Sequence, residues 1–240
     1  IMEAEGRANH IAELNLTVGN DGVSSWNGRL LNVTENTTKD RGVSEVISQD
    51  RGEVLNKRIG VTETTLDARF SSNYHRETGM GNLITDAFRA KTGADIAITN
   101  AGGIRSNSVY GPGNLTVGDV YNVLPFRNRL VTFRLTGSEV EELLAGQVIP
   151  LESEEGNQYG AEAALQVSGL SYEWFGHENV SGKNVVRDIR VGGEPIEDGS
   201  TYTVTVNSYM AGWDDSVFTN ATEVSRSQDL YGAAVVEYIE

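Results

Sequence analysis

The first part of the chain alternates loosely between apolar and polar positions, the pattern of a β-strand exposed on one face. Residues 9–18 show this alternation, and residues 30–33 are apolar enough to form a second strand. Between them, the Gly-Asn-Asp-Gly run at 19–22 is a strong turn signal, because these residues tolerate the positive φ angles of tight hairpin turns. The pattern predicts a β-hairpin, and the polar residues 35–40 predict a loop after it.

Apolar residues then change to helical spacing, although Gly52 weakens the middle of the segment. The positions that recur are Val43, Val46, Ile47, Val54 and Leu55. They predict a helix whose apolar side packs on the domain that follows.

From residue 58 onward the pattern mixes strands and helices. A capping-box spacing at Thr136 and Glu139 opens one of the helices. The predicted strands are 58–67, 94–99, 130–135, 165–175, 184–191 and 201–207, and the predicted helices are 80–91, 140–147 and 230–239. Residues 117–124 fit either a strand or a helix. Periodicity alone therefore predicts a mixed α and β domain.

The charge balance adds an expectation about habitat. The 240 residues carry 34 Asp and Glu against 19 Lys and Arg, a net charge of −15, and only four of the cations are lysine. A strong acidic excess with little lysine keeps a protein hydrated where molar salt shrinks the Debye length to about 3 Å. The composition indicates a halophile or, alternatively, an ordinary acidic exported protein. Nucleic acid is a poor partner for such a surface.

Three further features concern the cellular location. There is no cysteine, which excludes disulfides and thiolate metal sites. No apolar run is long enough to span a bilayer. The first residues lack the pattern of a signal peptide, which predicts that the given sequence starts within a domain. Asn-x-Ser/Thr sequons occur at Asn15, Asn32, Asn36, Asn114, Asn179 and Asn220, an excess that gives mild support for export.

The most informative motif is the run Asn-Ala-Gly-Gly-Ile-Arg at 100–105, which follows the predicted strand 94–99. It places small residues and an arginine where a strand ends, the edge at which α/β proteins receive ligands. Adjacent glycines let the backbone approach a ligand, and Arg105 offers a planar fork of donors to an anion. Phe126, some twenty residues on in the sequence Pro-Phe-Arg-Asn, offers a flat surface.

These segments resemble the C-terminal domain of the 5'-nucleotidase family, secreted metallophosphohydrolases that dephosphorylate nucleotides. The resemblance rests on five ordered matches within residues 55–240: 76–84, 100–105, 125–126, 165–170 and 207–218. It implies an α/β/β/α C-terminal domain over 59–240. It also implies that 36–58 is a linker helix and hinge, and that 1–35 contains the last strands of a preceding metallophosphoesterase domain.

The resemblance also implies roles for single residues. Phe126 matches the aromatic residue that stacks on the base, and Asn128 matches a polar residue at the base edge. Asn100 and Gly103 match positions that line the nucleoside pocket. Arginines that reach phosphate oxygens correspond to Arg76 and Arg105, and the aspartate that accepts hydrogen bonds from ribose hydroxyls corresponds to Asp214. Each residue also has an ordinary structural interpretation: a core or turn residue for the uncharged ones, a solvated counter-charge for the arginines.

The segment after Asn207 departs from the family pattern. Ser208 occupies the position of the second stacking phenylalanine, and Trp213 that of a glycine. Either Tyr209 completes the aromatic pair by a one-residue shift, or the base is held on one face only; Trp213 could instead close the pocket.

No catalytic centre is predicted in this chain. Family members use two divalent metal ions held by Asp, His and Asn motifs of the N-terminal domain, and the three histidines here, His10, His75 and His177, lie in no such motif. The chain is therefore interpreted as the nucleotide-recognition domain of an exported 5'-nucleotidase whose metal ions and catalytic residues belong to a preceding domain. Two alternatives stay open: a nucleotide-binding module without catalysis, and the same domain from a cyclic-nucleotide phosphodiesterase or nucleotide-sugar hydrolase.

Overall fold

The computed structural model describes residues 10–34, 36–149, 162–176, 185–214 and 216–240. His177, Asn179 and the first residue of the predicted strand 184–191 lie outside the described residues. The chain divides into two compact units, Ile1–Glu53 and Val54–Glu240. Among the described helices, none combines the length and the apolar character needed to cross a bilayer.

The first unit contains the predicted hairpin, which is confirmed as strands β1 (His10–Gly19) and β2 (Gly22–Asn32). The antiparallel register places Leu16 opposite Trp26 on one face, and Glu13 opposite Arg29 on the other. The first face is exposed and apolar, whereas the second carries an ion pair of 3.0 Å between Arg29 Nη2 and Glu13 Oε2. The predicted helix is also confirmed, as α1 (Arg41–Leu55).

The remaining elements form the second unit. Its strands are β3 (Arg58–Thr62), β4 (Leu66–Asp67), β5 (Ile96–Asn100), β6 (Val109–Tyr110), β7 (Gly113–Thr116), β8 (Arg129–Thr136), β9 (Val148–Ile149), β10 (Glu162–Ala163), β11 (Leu165–Ser168), β12 (Leu170–Trp174), β13 (Val186–Val191), β14 (Glu194–Pro195), β15 (Thr201–Asn207) and β16 (Thr222–Leu230). Its helices are α2 (Phe70–Asn73), α3 (Gly79–Thr92), α4 (Val117–Val123), α5 (Gly137–Ala145) and α6 (Tyr231–Ile239).

A five-stranded sheet in the order β11-β5-β15-β8-β16 forms the centre of this unit. Strand residues alternate between its faces: Ala97 and Leu130 pack in the cluster formed with α3, α4 and α6. Ile98, Val131 and Val204 pack on the opposite face, in the cluster shared with α5 and the three-stranded sheet β12-β13-β14. The predicted layered fold of mixed α and β elements is confirmed.

Two of the predicted strands are interrupted. The segment 58–67 divides into β3 and β4 at a turn in which Thr62 Oγ1 donates to the Thr64 carbonyl (2.8 Å). The segment 165–175 divides at Gly169, whose φ of +75° ends β11 before β12 begins. The segment 117–124 is helical, because Thr116 and Asp119 form a capping box at the start of α4. The capping box predicted at Thr136 is confirmed at the start of α5.

A buried glutamine fixes the segment before α3. Gln166, 2% exposed on β11, donates from Nε2 to the carbonyls of Asn73 (2.7 Å) and Arg76 (2.8 Å). Its Oε1 accepts from the Thr78 amide (3.1 Å), and Thr78 in turn caps α3 by accepting from the Gly81 amide. Residues 73–78 are therefore held against the edge of the central sheet, which positions Tyr74.

Candidate functional site

Three chain segments meet at one edge of the central sheet. β5 and β15 are parallel and end at Asn100 and Asn207, so their carboxyl ends lie at the same edge. β8 runs antiparallel to β15 and begins at Arg129, which brings the preceding residues 126–128 to that edge as well. The topology thus joins the two motifs that the sequence separates by about twenty residues.

A cleft of about 720 Å³ opens between these segments. Six of the eight predicted ligand-binding residues line it: Asn100, Gly103, Arg105, Phe126, Asn128 and Tyr209. The cleft is also lined by residues outside the predicted set, namely Tyr74, Gly102, Arg127, Gln147, Ala164 and Trp213. Gly102 and Arg127 are direct neighbours of predicted site residues, and Trp213 is the departure from the family pattern that could close the pocket. Tyr74 and Gln147 come from segments whose sequence carries no comparable signal.

Asn207 connects the ends of the two parallel strands. Its side chain is fully buried, and its Nδ2 donates to Asn100 Oδ1 (2.9 Å) and to Thr99 Oγ1 (3.2 Å). Its Oδ1 accepts from the amide of Met210 (3.0 Å). Met210 begins a short helical turn, Met210–Gly212, that lies between Tyr209 and Trp213 in the sequence. Asn207 therefore fixes both the Asn100 side chain and the turn beside Tyr209 and Trp213, all three of which line the cleft.

The two glycines of the motif permit close packing beside Asn100. A Cβ added at Gly103 would lie 3.0 Å from Asn100 Oδ1, and one added at Gly102 would lie 2.7 Å from Tyr74 Oη. Larger residues would displace the side chains that line this wall, which accounts for the pair of glycines.

Arg105 is held against aromatic rings. Its guanidinium carbon lies over the Phe126 ring at 5.8 Å from the centroid, and over the Phe70 ring at 5.5 Å. One of its amino groups, Nη1, donates to the Gly102 carbonyl (3.2 Å). Phe126 itself remains 47% exposed, so a large part of its surface is open to a ligand.

The departure at residue 208 has a structural explanation. The Ser208 hydroxyl donates to Asn128 Oδ1 (3.1 Å) and accepts from the Arg129 amide (3.2 Å), so it joins β15 to the start of β8. Tyr209, the next residue, lines the cleft and is 60% exposed. Its ring meets the Trp213 ring edge-on, with centroids 6.1 Å apart and planes at 85°.

Asp214 lies beside the cleft rather than in it. It lines a neighbouring pocket of about 320 Å³, which shares Gln147 and Trp213 with the cleft and also carries Glu142. Asp214 is therefore adjacent to the cleft through Trp213, which lines both pockets.

Arg76 lies at a different place from the cleft. It lines a hollow of about 230 Å³ together with Gln166 and Trp174. Its Nη2 lies 3.4 Å from Asp67 Oδ2, and Arg69 approaches the same carboxylate oxygen at 2.7 Å. The hydrogen-bonded guanidinium of Arg69 holds the pKa of Asp67 well below its usual range, so the carboxylate remains ionised and available to both arginines.

The sequence model of the 5'-nucleotidase C-terminal domain matches residues 58–223. The chain belongs to the 5'-nucleotidase family. It is 33% identical over 84% of its length to the trifunctional nucleotide phosphoesterase protein YfkN of Bacillus subtilis, and 28% identical over 89% to the cell wall protein Lmo0130 of Listeria monocytogenes. The structure of the 5'-nucleotidase precursor from Thermus thermophilus superposes on 96% of the chain with a TM-score of 0.69 and 27% identity.

The match covers only part of each relative. The chain spans 14% of YfkN, 28% of Lmo0130 and 46% of the Thermus thermophilus 5'-nucleotidase precursor. Activities of the whole proteins therefore do not transfer to this chain by similarity alone.

The family resemblance implies a two-metal centre in a preceding domain and not among the residues of this chain. Across the described ranges, no three His, Cys, Asp or Glu side chains are grouped closely enough to hold a metal ion. The location of the metal ions in a preceding domain stays a prediction.

Proposed function

We propose that this chain is the nucleotide-recognition domain of a 5'-nucleotidase-like metallophosphohydrolase. The observation that carries the proposal is the convergence of Phe126, Tyr209 and Arg105 on one cleft at the end of parallel strands. Exposed aromatic rings are suited to bind a base by stacking, and a guanidinium is suited to bind phosphate oxygens. A cleft with both features fits a nucleoside phosphate.

Electrostatics supports an anionic ligand. The charged side chains that line the cleft, among the residues described, are Arg105 and Arg127, although the whole chain has a net charge of −15. In an acidic protein, local positive charge attracts anions to that place, whereas the negative charge of the remaining surface repels them. The phosphate group is therefore proposed to lie toward Arg105.

The other predicted contacts are part of the same proposal. Asn100, Gly103 and Asn128 would contact the nucleoside from the walls of the cleft. Asp214 would accept hydrogen bonds from the ribose hydroxyls at the margin formed by Trp213. Arg76 lines a hollow separate from the cleft. It would contact the phosphate only after a movement that brings Arg76 and the bound ligand together.

Catalysis is proposed to take place between this domain and a metallophosphoesterase domain of the same protein. This chain would place the phosphate for in-line displacement, since positioning supplies much of the rate in phosphoryl transfer. Segment 36–58 would act as the hinge and residues 1–35 as the last strands of the metal domain.

The proposal is tested by calorimetric titration of the 240-residue chain, first with adenosine and then with AMP. We expect saturable binding of both ligands, with AMP bound more tightly because only AMP places an anion at Arg105. Guanosine and inorganic phosphate serve as comparison ligands for base preference and for phosphate alone. If the folded protein bound neither adenosine nor AMP, this result would contradict the proposed recognition function.

We further propose that the parent protein is exported and adapted to high salt. Lmo0130, a relative, is a cell wall protein, and the net charge of −15 requires screening in the compact state. The midpoint of thermal unfolding should rise by about 5 °C or more between 0.1 M and 3 M KCl, equivalent to roughly 2 kcal/mol for a chain of this length. Sucrose at equal osmolality separates charge screening from general exclusion effects. A midpoint that is constant or falls with KCl would contradict the adaptation to salt.

A further inference from the structure

Arg105 has two aromatic neighbours but only one of them belongs to the cleft. Its guanidinium carbon lies 5.8 Å from the centroid of Phe126, which lines the cleft, and 5.5 Å from that of Phe70, which is not among the lining residues. Phe70 is half-buried at the start of α2. An aromatic residue outside the site thus contacts the cation inside it.

Two residues that follow Arg105 in the sequence, Asn107 and Ser108, fix the backbone around Phe70. The Phe70 amide donates to Asn107 Oδ1 (3.0 Å), and the Ala68 amide donates to the Ser108 carbonyl (2.9 Å). Asn107 adopts a φ of +49°, a conformation that asparagine tolerates better than most residues. The segment 107–108, shortly after Arg105 in sequence, therefore holds the ring that lies against Arg105.

Aromatic contact and phosphate binding use different parts of a guanidinium. Rings interact with its flat faces, whereas its N–H donors point outward in the plane. Among the described residues, one donor of Arg105 is engaged, since its Nη1 donates to the Gly102 carbonyl. Rings that fix the faces restrict the rotation of the side chain and leave the edge directed for an anion.

We propose that Phe70 is a positioning residue that holds Arg105 in the orientation in which it receives the phosphate. The inference rests on the proposed nucleotide-recognition function and adds to it a contact that lies outside the cleft. It also implies that recognition of base and phosphate are coupled, because Phe126 contacts Arg105 and offers its remaining surface to the base.

The test compares the dissociation constants of adenosine and AMP in the 240-residue chain. Their ratio measures what the phosphate adds to binding. Phe70→Leu, which keeps an apolar side chain and removes the ring, should lower this ratio about 2- to 5-fold, the size of a cation–π contact at a partly exposed site. Phe70→Tyr keeps a ring and should preserve the ratio, and the affinity for adenosine should stay within about 2-fold in both variants.

A matched control is available in a second pair of the same kind. The Arg187 guanidinium lies 4.2 Å from the centroid of Phe175, outside the cleft, so Phe175→Leu should leave the ratio unchanged. An unchanged ratio in folded Phe70→Leu, equal weakening of adenosine and AMP, or a loss in Phe70→Tyr as large as in Phe70→Leu would each overturn the positioning role while leaving the proposed function intact. A wild-type chain that binds neither ligand would overturn both.

Discussion

Replacing Phe126 by alanine is expected to weaken the binding of adenosine by about 10- to 100-fold, because base–aromatic stacking contributes roughly 1–3 kcal/mol per base. Phe126 lines the cleft and is 47% exposed, so its loss removes the stacking surface without opening a cavity in the core. The free energy of unfolding should therefore change by only about 1 kcal/mol or less. Calorimetric titration gives the affinity, and urea denaturation gives the free energy of unfolding.

Two further variants separate stacking from a general effect of truncation. Phe126→Trp keeps an aromatic face and should retain most of the affinity. Tyr238→Ala removes a ring of similar exposure (48%) that does not line the cleft, and should leave the affinity unchanged. Wild-type affinity in a folded Phe126→Ala variant would show that the base, if bound, lies elsewhere.

The sequence predicts the site residues that are close together in the chain and lie at the ends of strands. The 100–105 motif and the residues 126–128 reach the cleft because β5 ends and β8 begins at the same sheet edge. Tyr74 and Gln147 could not be predicted in this way, because each is brought to the cleft by a loop whose path depends on tertiary packing. Tyr74, for example, depends on the hydrogen bonds that Gln166 makes to the neighbouring carbonyls.

The positions of Asp214 and Arg76 show a second limit of sequence reasoning. A motif specifies which residue follows which, but not which of two neighbouring pockets a carboxylate lines; Trp213 lines both, whereas Asp214 lines only the smaller one. Similarly, the position of Arg76 in the chain says nothing of Asp67, the carboxylate with which it forms an ion pair. Both placements depend on contacts between segments that periodicity and motif spacing do not specify.

Most elements of the fold could be predicted from local pattern, and the errors fall where a local pattern conceals a turn. The capping box at Thr136 and the glycine-rich hairpin turn at 19–22 are local signals, and each produced the predicted element. Gly169 was hidden inside an apolar segment, where a glycine is compatible with either a strand or a break. Its positive φ is decided by the neighbouring backbone, which the sequence of that segment does not show.

That same glycine provides the largest expected effect on stability. Gly169→Ala should lower the free energy of unfolding by roughly 2–4 kcal/mol, the sum of the strain of an L-residue at φ +75° and of a clash with backbone. The added Cβ would lie 2.1 Å from the Asp95 carbonyl oxygen and 2.7 Å from Arg89 Nε, which donates to that carbonyl at 3.1 Å. Because the Asp95 carbonyl directly precedes β5, the backbone cannot move aside without disturbing the central sheet.

Gly93→Ala separates the strain of a positive φ from the clash with the backbone. Gly93 has a similar φ of +67° at the end of α3, but nothing lies within 4 Å of an added Cβ, so alanine there should cost only about 1 kcal/mol. Urea denaturation of both variants gives the difference, which measures the clash at Gly169 alone. Equal losses in the two variants would mean that the chain around Asp95 yields easily. In that case the junction of β11 and β12 would not constrain the start of β5, the strand whose other end carries Asn100 into the cleft.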